Sequence, residues 1–396
     1  MIFRKKAALL NAAVEVTSDA IRVLVFEVVA GRDGTGPAPR IIKKLVFPIS
    51  SVARSPLRVA TKVREALFTT VTEIGAVPPH IMIAVGPELA QESLVTWPIR
   101  LASPITYISR GSAASYFTTL LEQHAHEAEA FFVYPIDILI NGYSASLVPA
   151  VSSHMHRVSP EKGIALPHGV RDISFRAVRS LFDPEVGRVL ADARKGLGGL
   201  PIDFVPTPVV VAEAACREAG VGQMLLIDVG RMNTTITLTN NCSIREIVSF
   251  ASGYEQWVKA VAKQYGGNAE NLLSQYASGV VNAAERSMIS SVLSKEIEQW
   301  GVLLREALDG MYPLGPLPAD IRLYGIGAAL PEVGEWIRRA QIVARLSATS
   351  SSTVRILTAE NIFSGATLGG AVSGSAEVGI ASLVYYSLNH CPVVSP

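Results

Sequence analysis

The chain has 396 residues, of which 49% are hydrophobic, and its formal net charge is +1. This near-neutral balance gives no reason to expect nucleic acid as a partner. No run reaches the ~18 uninterrupted apolar residues that a membrane-spanning helix needs, and Arg4 to Lys6 precede too short an apolar run for a signal peptide. Three cysteines far apart in the sequence, Cys216, Cys242 and Cys391, are typical of a reducing compartment. We therefore predict a cytoplasmic protein of two or three domains.

The first element is a hairpin over residues 12–29. Two apolar strands flank a hydroxyl-rich turn built on Thr17, Ser18 and Asp19, and the acid Glu15 lies in the first strand. A further strand is predicted over residues 41–47.

The next segment alternates helix and strand. Ser55 and Pro56 predict the N-cap and first position of a helix that Gly75 ends. Residues 80–86 predict a buried strand. This alternation indicates an α/β layer structure.

From residue 88 to 181 the pattern changes to short strands, near 94–99 and 137–147, around a polar helix over 115–129. We interpret this segment as a small inserted subdomain. Two His-x-His pairs lie in it, His124/His126 and His154/His156. No acid or cysteine stands at metal-site spacing from them, so we predict no metal there.

The second half is organised around residues 225–238, a second hairpin. An apolar strand ends in Asp228, Gly230 permits a sharp turn, and Thr235 to Leu238 alternate polar and apolar as a return strand does. An acid with such a turn is a pattern that cradles phosphate and holds a metal's water shell, although an ordinary polar hairpin fits it equally well. The repetition of the first hairpin indicates two similar halves.

Helices are predicted on both sides of this second hairpin, over 184–195, 207–219, 255–265, 269–276 and 283–308. Strands are predicted over 202–205 and 321–324. The last strand enters a glycine-rich turn at Gly325 to Leu330, which is not a dinucleotide fingerprint. Residues 364–379 are rich in Gly, Ala and Ser.

Three of these elements, in this order, resemble the phosphate-one, phosphate-two and adenosine segments of the actin-like ATPase superfamily, and within it the FtsA and PilM branch. The resemblance covers nearly the whole chain. It rests on residues 14–18, 228–235 and 325–330, with Asn268 to Glu270 and Gly379 to Ala381 similar to two further family segments.

The resemblance implies an α/β, actin-like (ribonuclease H-like) two-lobed fold with a small inserted α+β subdomain. Lobe 1 would comprise residues 1–87 and 182–220, the insertion 88–181, and lobe 2 residues 221–396, with a helical part at about 254–312.

It also implies ATP and Mg²⁺ between the lobes. Glu15 and Asp228 would hold the metal's waters, and Asp228 would orient an attacking water. The remaining implied nucleotide contacts are Thr17, Ser18, Gly230, Asn233 and Thr234 at the phosphates, Gly325, Ile326 and Gly327 at the adenosine, and Lys295 and Glu298 at the ribose. For Lys295 and Glu298, a solvated helix face is the alternative that we favour.

Several positions depart from the family pattern. Thr17 replaces a glycine of the first loop, Arg231 and Met232 replace two glycines of the second, and Ile326 replaces one of the adenosine turn. Thr235 replaces the second acid of the second loop. The added bulk crowds the phosphates, although Arg231 offers a charge that would pair with one. We therefore expect at most a weak ATPase, and leave open a nucleotide-free pseudo-ATPase.

Three functions follow from the resemblance. The favoured one is an FtsA-like cell-division adaptor that binds the C-terminal tail of FtsZ, self-associates into filaments and contacts the inner face of the cell membrane peripherally. Residues 135–143 resemble the FtsA insert, whereas residues 391–396 do not predict the amphipathic membrane helix of FtsA. The close alternative is a PilM-like scaffold that binds the tail of a pilus-assembly protein. A small-molecule kinase of the same fold is a distant third.

Overall fold

The structure is a computed structural model, and it describes residues 10–30, 37–49, 55–87, 89–108, 110–124, 131–140, 143–146, 164–199, 202–220, 222–311, 317–340, 353–363 and 370–390. The strands are β1 (Leu10–Val16), β2 (Ala20–Ala30), β3 (Pro37–Pro48), β4 (His80–Val85), β5 (Ala90–Ile108), β6 (Phe131–Ile140), β7 (Tyr143–Ser146), β8 (Ile164–Phe182), β9 (Ile202–Pro206), β10 (Met224–Val229), β11 (Thr234–Asn240), β12 (Ser243–Phe250), β13 (Asp320–Tyr324) and β14 (Thr353–Ile356). The helices are α1 (Pro56–Ile74), α2 (Arg110–His124), α3 (Pro184–Gly196), α4 (Thr207–Ala219), α5 (Tyr254–Tyr265), α6 (Ala269–Ala277), α7 (Ala283–Met311), α8 (Pro331–Arg339), α9 (Ala359–Ile362) and α10 (Val378–His390).

Two five-stranded sheets share one topology. The first has the order β3-β2-β1-β4-β9 and the second β12-β11-β10-β13-β14. In each, three antiparallel strands are followed by two parallel ones. The predicted duplication is therefore confirmed, and the two hairpins occupy equivalent places in the two sheets.

The helices α4 and α10 pack between these sheets. Their side chains share one buried core with Ala13 and Met82 of the first sheet and Met224 and Leu226 of the second. Helix α10 is buried on every side from Val378 to Leu388. A helix that is apolar all round shows no helical periodicity in its sequence, which explains why the sequence did not indicate it.

Local signals determine the ends of several helices. The Ser55 side chain accepts a hydrogen bond from the Arg58 N–H at the start of α1, and Gly75 adopts a left-handed conformation (φ 65°) at its end. Glycine likewise ends α4, at Gly220. The predicted helices over 184–195, 207–219, 255–265, 269–276 and 283–308 correspond to α3 to α7 within three residues at each end.

A third sheet, fully antiparallel, has the order β5-β8-β6-β7 and packs on α2. The predicted helix and strands of this segment are present, with different bounds. Helix α2 begins at Arg110 rather than Ser115, because Ala113 joins Phe117 and Leu120 in the core of this sheet. The strand predicted over 94–99 is part of the longer β5, and residues 137–147 contribute to two strands, β6 and β7, rather than one.

Some sequence-based expectations fall outside the described residues. These are three of the four histidines in the His-x-His pairs, the basic start at residues 4–6, and residues 391–396. Within the described ranges, no helix combines the length and the apolar character needed to cross a membrane.

Candidate functional site

The first hairpin presents a turn that is closed by its own groups. The Thr17 N–H donates to the Ala20 carbonyl at 3.0 Å, and the Thr17 hydroxyl lies 2.6 Å from the carboxylate of Asp19. The same hydroxyl accepts from Arg22 at 2.9 Å. The neighbouring Ser18 hydroxyl is buried and has no hydrogen-bond partner among the described residues. Thr17 is therefore hydrogen-bonded within its own hairpin, whereas the Ser18 hydroxyl has no partner in the part of the chain that the structure describes.

Arg22 is the central charge of this hairpin. It lies directly opposite Glu15 in the β1–β2 register, and its guanidinium is 3.3 Å from the Glu15 carboxylate and 2.7 Å from that of Asp19. Glu377, the residue before α10, is 4.0 Å away and also pairs with Lys44. Arg22 and Glu15 are only 7% and 3% exposed. The Arg22 guanidinium thus lies beside the Glu15 carboxylate, which was predicted to hold the water ligands of a metal ion.

Burial raises the pKa of Glu15 to about 7. Nearby Asp19 and Glu377 add to this rise, and the positive charge of Arg22 opposes it. The neighbouring Tyr324 of β13 is also buried, and its pKa is raised well above 10, by burial first and then by Asp228, Glu92 and Glu15. The base of the site is therefore crowded with acidic groups.

The second hairpin holds its turn against α5. The Gly230 and Arg231 carbonyls accept the Tyr254 and Glu255 N–H groups at 3.0 and 2.8 Å. A Cβ at Gly230 would lie 2.8 Å from the Asn233 carbonyl, so the turn requires glycine there. The buried hydroxyl of Thr234 donates to the Ser252 carbonyl at 2.7 Å and accepts from the Trp300 indole at 2.9 Å. The Thr234 hydroxyl thus makes both of these hydrogen bonds within the core of lobe 2.

Arg231 forms two ion pairs with helices of the same lobe. Its Nε donates to Glu255 at 2.8 Å, and its other nitrogens donate to Glu270 of α6 at 2.7 and 3.1 Å. Burial lowers the pKa of Arg231, but Glu270 and Glu255 together raise it above its ordinary value. Two carboxylates already hold the guanidinium, so a phosphate would have to compete with both ion pairs for the charge of Arg231.

The glycine-rich turn approaches β10 closely. Gly325 has φ 89°, which only glycine adopts readily, and a Cβ there would lie 2.7 Å from the Val229 carbonyl. A Cβ on Gly327 would meet the Trp257 ring at 2.9 Å. Both glycines are therefore explained by packing between the turn and its own lobe.

Two cavities adjoin in this region. The smaller, about 50 Å³, is lined by both hairpin turns and by the start of α10; seven predicted site residues line it: Glu15, Thr17, Ser18, Asp228, Gly230, Gly325 and Ile326. The larger, about 660 Å³, lies between α6 and the glycine-rich turn, and Tyr254 also lines it. Ile326 and Ala376 line both cavities. We call these the phosphate-side cavity and the Tyr254 cavity.

The other predicted residues lie elsewhere. Asn233, Thr234 and Gly327 line neither cavity. Lys295 and Glu298 are exposed on α7, where Glu298 accepts hydrogen bonds from Trp336 and Arg339. The structure thus does not bring the predicted ribose-contacting pair to the site. Arg22, Tyr324 and Glu270 were not among the predicted site residues, although the hairpin pairing places Arg22 opposite Glu15.

The residues present do not fit a magnesium-bound triphosphate. Arg22 pairs with Glu15, and Arg231 pairs with Glu255 and Glu270, so guanidinium groups of the protein already hold the charges of both turns. A cavity of about 50 Å³ is also far below the 300 Å³ or more typical of ligand pockets. The Tyr254 cavity, at about 660 Å³, falls within that range.

Known proteins resemble this chain in structure rather than in sequence. No protein-family model matches the chain, and no curated protein matches its sequence. The structure is similar to a chain of a PilM-PilN type IV pilus biogenesis complex, with a TM-score of 0.56 and 12% identity over 96% of this chain and 98% of that one. MreB5 of Spiroplasma citri bound to AMPPNP (TM-score 0.46, 9% identity, 96% of each chain) and the ethanolamine utilization protein EutJ from Carboxydothermus hydrogenoformans (0.45, 14%, 94% and 89%) are more distant.

The similarity in the first of these comparisons extends over both chains almost entirely, and the two sheets repeat one topology. The actin-like, two-lobed α/β fold with an inserted subdomain is therefore confirmed.

Proposed function

We propose that this protein is an actin-like scaffold that binds the tail of a partner protein and does not depend on ATP hydrolysis. One observation carries the proposal: Arg22 and Arg231 occupy, with their ion pairs, the two turns that would otherwise hold metal and phosphates. Hydrolysis needs a positioned phosphate and a metal to offset the developing charge. The ion pairs of Arg22 and Arg231 provide neither of these. We therefore assign the function to binding of a partner by the folded chain rather than to catalysis.

The pilus-assembly role is the first candidate. It is supported by the similarity to a chain from a PilM-PilN complex over 96% of this chain. In this role the partner is the tail of a pilus-assembly protein, and the location is the cytoplasm at the inner face of the membrane.

The division role is the second candidate. It is supported by the resemblance of residues 135–143 to the FtsA insert, which begins on β6. In this role the partner is the C-terminal tail of FtsZ, with filament formation and peripheral membrane contact.

Two measurements on the full chain test the proposal. We expect ATP turnover at the level of a buffer blank, both in the wild type and in Asp228→Ala. We also expect fluorescence anisotropy to show saturable binding of one labelled tail peptide, from a pilus-assembly protein or from FtsZ, and no binding of its scrambled sequence. Turnover that disappears in Asp228→Ala would contradict the non-hydrolysing role, and failure of both peptides would contradict the scaffold role.

A further inference from the structure

Cys216 and Cys242 lie side by side in the fold, with their side chains in hydrogen-bonding contact. Cys216 is buried in the last turn of α4, whereas Cys242 is exposed in the turn between β11 and β12. Both side chains are in the thiol form in this structure. Because the two thiols already touch, the backbones need not move far to join them in a disulfide.

The turn that carries Cys242 is held against the segment that follows α4. The Cys242 N–H donates to the Gly222 carbonyl at 2.9 Å, and a Cβ built on Gly222 would lie 3.0 Å from the Asn241 Cα. At the end of α4, the Gly220 N–H donates to the Cys216 carbonyl at 3.1 Å. Backbone contacts therefore fix the positions of both cysteines.

The backbone at Cys242 has a conformation that favours glycine. Asn240 pairs with Ser243 across the hairpin, so residues 241 and 242 form a two-residue turn, and their φ values are 54° and 57°. Asn-Gly is the sequence that such a turn prefers. Among the described residues, Asn241 and Cys242 are the two positions where a residue other than glycine has a positive φ. A side chain kept at such a position indicates a use for that side chain.

The two thiols differ in how readily they ionise. The hydrogen bond between them raises the pKa of Cys216, and burial adds to this rise. The same hydrogen bond lowers the pKa of Cys242, against the opposing effects of burial and Glu213. The thiolate is the reactive form of cysteine. Cys242 is therefore the thiol that an oxidant in solution meets first, and Cys216 lies next to it as the second thiol.

We propose that Cys242 and Cys216 form a reversible redox site, in which a hydroperoxide oxidises Cys242 and Cys216 then closes a disulfide. Such disulfides are transient in a reducing compartment, where they serve as sensors of oxidation. The proposal goes beyond the scaffold role, because it requires neither a nucleotide nor a partner tail.

The oxidation has two steps. The Cys242 thiolate attacks one oxygen of hydrogen peroxide, the O–O bond breaks, and the released hydroxide takes a proton to become water, which leaves a sulfenic acid on Cys242. The Cys216 sulfur then attacks the sulfenic sulfur, the S–O bond breaks, and the hydroxyl leaves as water with the Cys216 proton. In sum, the two thiols are oxidised to one disulfide and the peroxide is reduced to water.

The disulfide joins α4 to the second five-stranded sheet at a junction of the fold. Helix α4 packs between the two five-stranded sheets. Cys242 directly precedes Ser243, whose hydroxyl donates a hydrogen bond to Asp137 of the inserted sheet. A covalent link at this point restrains local opening of the end of α4 and of the β11–β12 turn.

Mass spectrometry of the full chain tests the redox site. The reduced protein is treated with hydrogen peroxide, the remaining thiols are alkylated, and the digest is searched for peptides joined through Cys216 and Cys242. We expect this cross-link to form, to disappear after dithiothreitol, and to form equally in Cys391→Ser, the control that removes the third cysteine. Absence of the cross-link, or a cross-link through Cys391, would overturn the proposal.

Trapping of the sulfenic acid with dimedone tests the order of the two steps. Cys216→Ala removes the second thiol and keeps a small apolar side chain at this buried position, so we expect the dimedone adduct of Cys242 to increase about tenfold or more over the wild type. In Cys242→Ser we expect no adduct on Cys216. An adduct on Cys216 without one on Cys242 would contradict the assigned order.

Hydrogen exchange measures the restraint. In the wild type we expect the amides of residues 220 and 242 to exchange about threefold or more slowly after peroxide treatment. In Cys242→Ser the same treatment should leave the rate at residue 220 unchanged. Equal rates in the reduced and oxidised wild type would show that the disulfide does not restrain α4, and would contradict this part of the proposal.

Discussion

The hydroxyl of Ser243 lies 2.6 Å from the carboxylate of Asp137, to which it donates a hydrogen bond across 106 residues of sequence. Asp137 belongs to β6 of the inserted sheet, and Ser243 begins β12 of the second five-stranded sheet. Arg176 of β8 completes the group, with hydrogen bonds to both. All three are buried. A polar network therefore joins the inserted subdomain to lobe 2.

Removing the anion of this network leaves Arg176 buried without its carboxylate. We expect Asp137→Ala to lower the free energy of unfolding by roughly 3–5 kcal/mol, measured by urea denaturation. Asp172→Ala is a control in the same subdomain: Asp172 and Arg100 are 3.9 Å apart and 77% and 79% exposed. Exposed pairs contribute less than about 1 kcal/mol. Equal losses in the two variants would contradict the importance of burial.

Glu15 makes stability depend on pH near neutrality. Its folded-state pKa of about 7 lies above the ordinary 4.5, so the folded state holds this proton more tightly than the unfolded state. Stability therefore falls as pH rises from about 4.5 to about 7, by up to about 3 kcal/mol. Glu15→Gln cannot lose a proton. We expect the difference between wild-type and Glu15→Gln unfolding free energies to change across this window, and parallel curves would contradict the prediction.

Gly301 of α7 packs against the indole of Trp336. A Cβ built on Gly301 overlaps that buried ring, whereas a Cβ on Gly310 of the same helix meets no atom within 4 Å. We expect Gly301→Ala to destabilise by about 1–3 kcal/mol through overpacking. Gly310→Ala, the matched control, should stabilise by about 0.5 kcal/mol through backbone entropy. Thermal unfolding followed by tryptophan fluorescence distinguishes the two; an unchanged Tm in Gly301→Ala would show that the ring relaxes freely.

Gly379 at the start of α10 lies against the carboxylate of Glu15. An added Cβ would overlap that carboxylate, so Gly379→Ala should destabilise by about 1–3 kcal/mol. Because the clash is with this one side chain, Glu15→Ala should remove most of the penalty. We expect a double-mutant cycle to give a coupling of about 1 kcal/mol or more in urea denaturation. Additive effects would show that the strain lies elsewhere.

The elements with local signals could be predicted from the sequence. Ser55, Pro56 and Gly75 define α1, and Gly220 ends α4. The repeated strand, acid and turn around Glu15 and Asp228 indicated the duplicated sheets. In these cases the residues that determine the structure are near neighbours in the chain.

Elements that depend on distant partners were missed. Strand β8 contains Pro167 and Gly169, which interrupt a strand pattern, and its 19 residues are held by pairing with β5 and β6. Helix α10 gives no periodic signal because both sheets cover it. Tertiary contacts, rather than local propensity, determine both elements.

Part of the candidate site could be predicted from the sequence. The hairpin register pairs Glu15 with Arg22 once the turn is known. The ion pairs of Arg231 were not foreseeable, since Glu255 and Glu270 approach it only through the packing of α5 and α6. The positions of Asn233 and Thr234 in the pattern suggested phosphate contacts, whereas the Thr234 hydroxyl bonds to Ser252 and Trp300.

The duplicated topology also means that one molecule contains two versions of the same hairpin. In the first, Thr17 closes the turn on itself and an arginine neutralises the acid. In the second, the turn has no room for a side chain at Gly230, and the Gly230 carbonyl accepts a hydrogen bond from the first residue of α5. Grafting the sequence of either turn onto the other lobe would compare them within one chain, at one temperature and in one solvent. The protein thus contains an internal reference against which the sequence requirements of either hairpin turn can be measured.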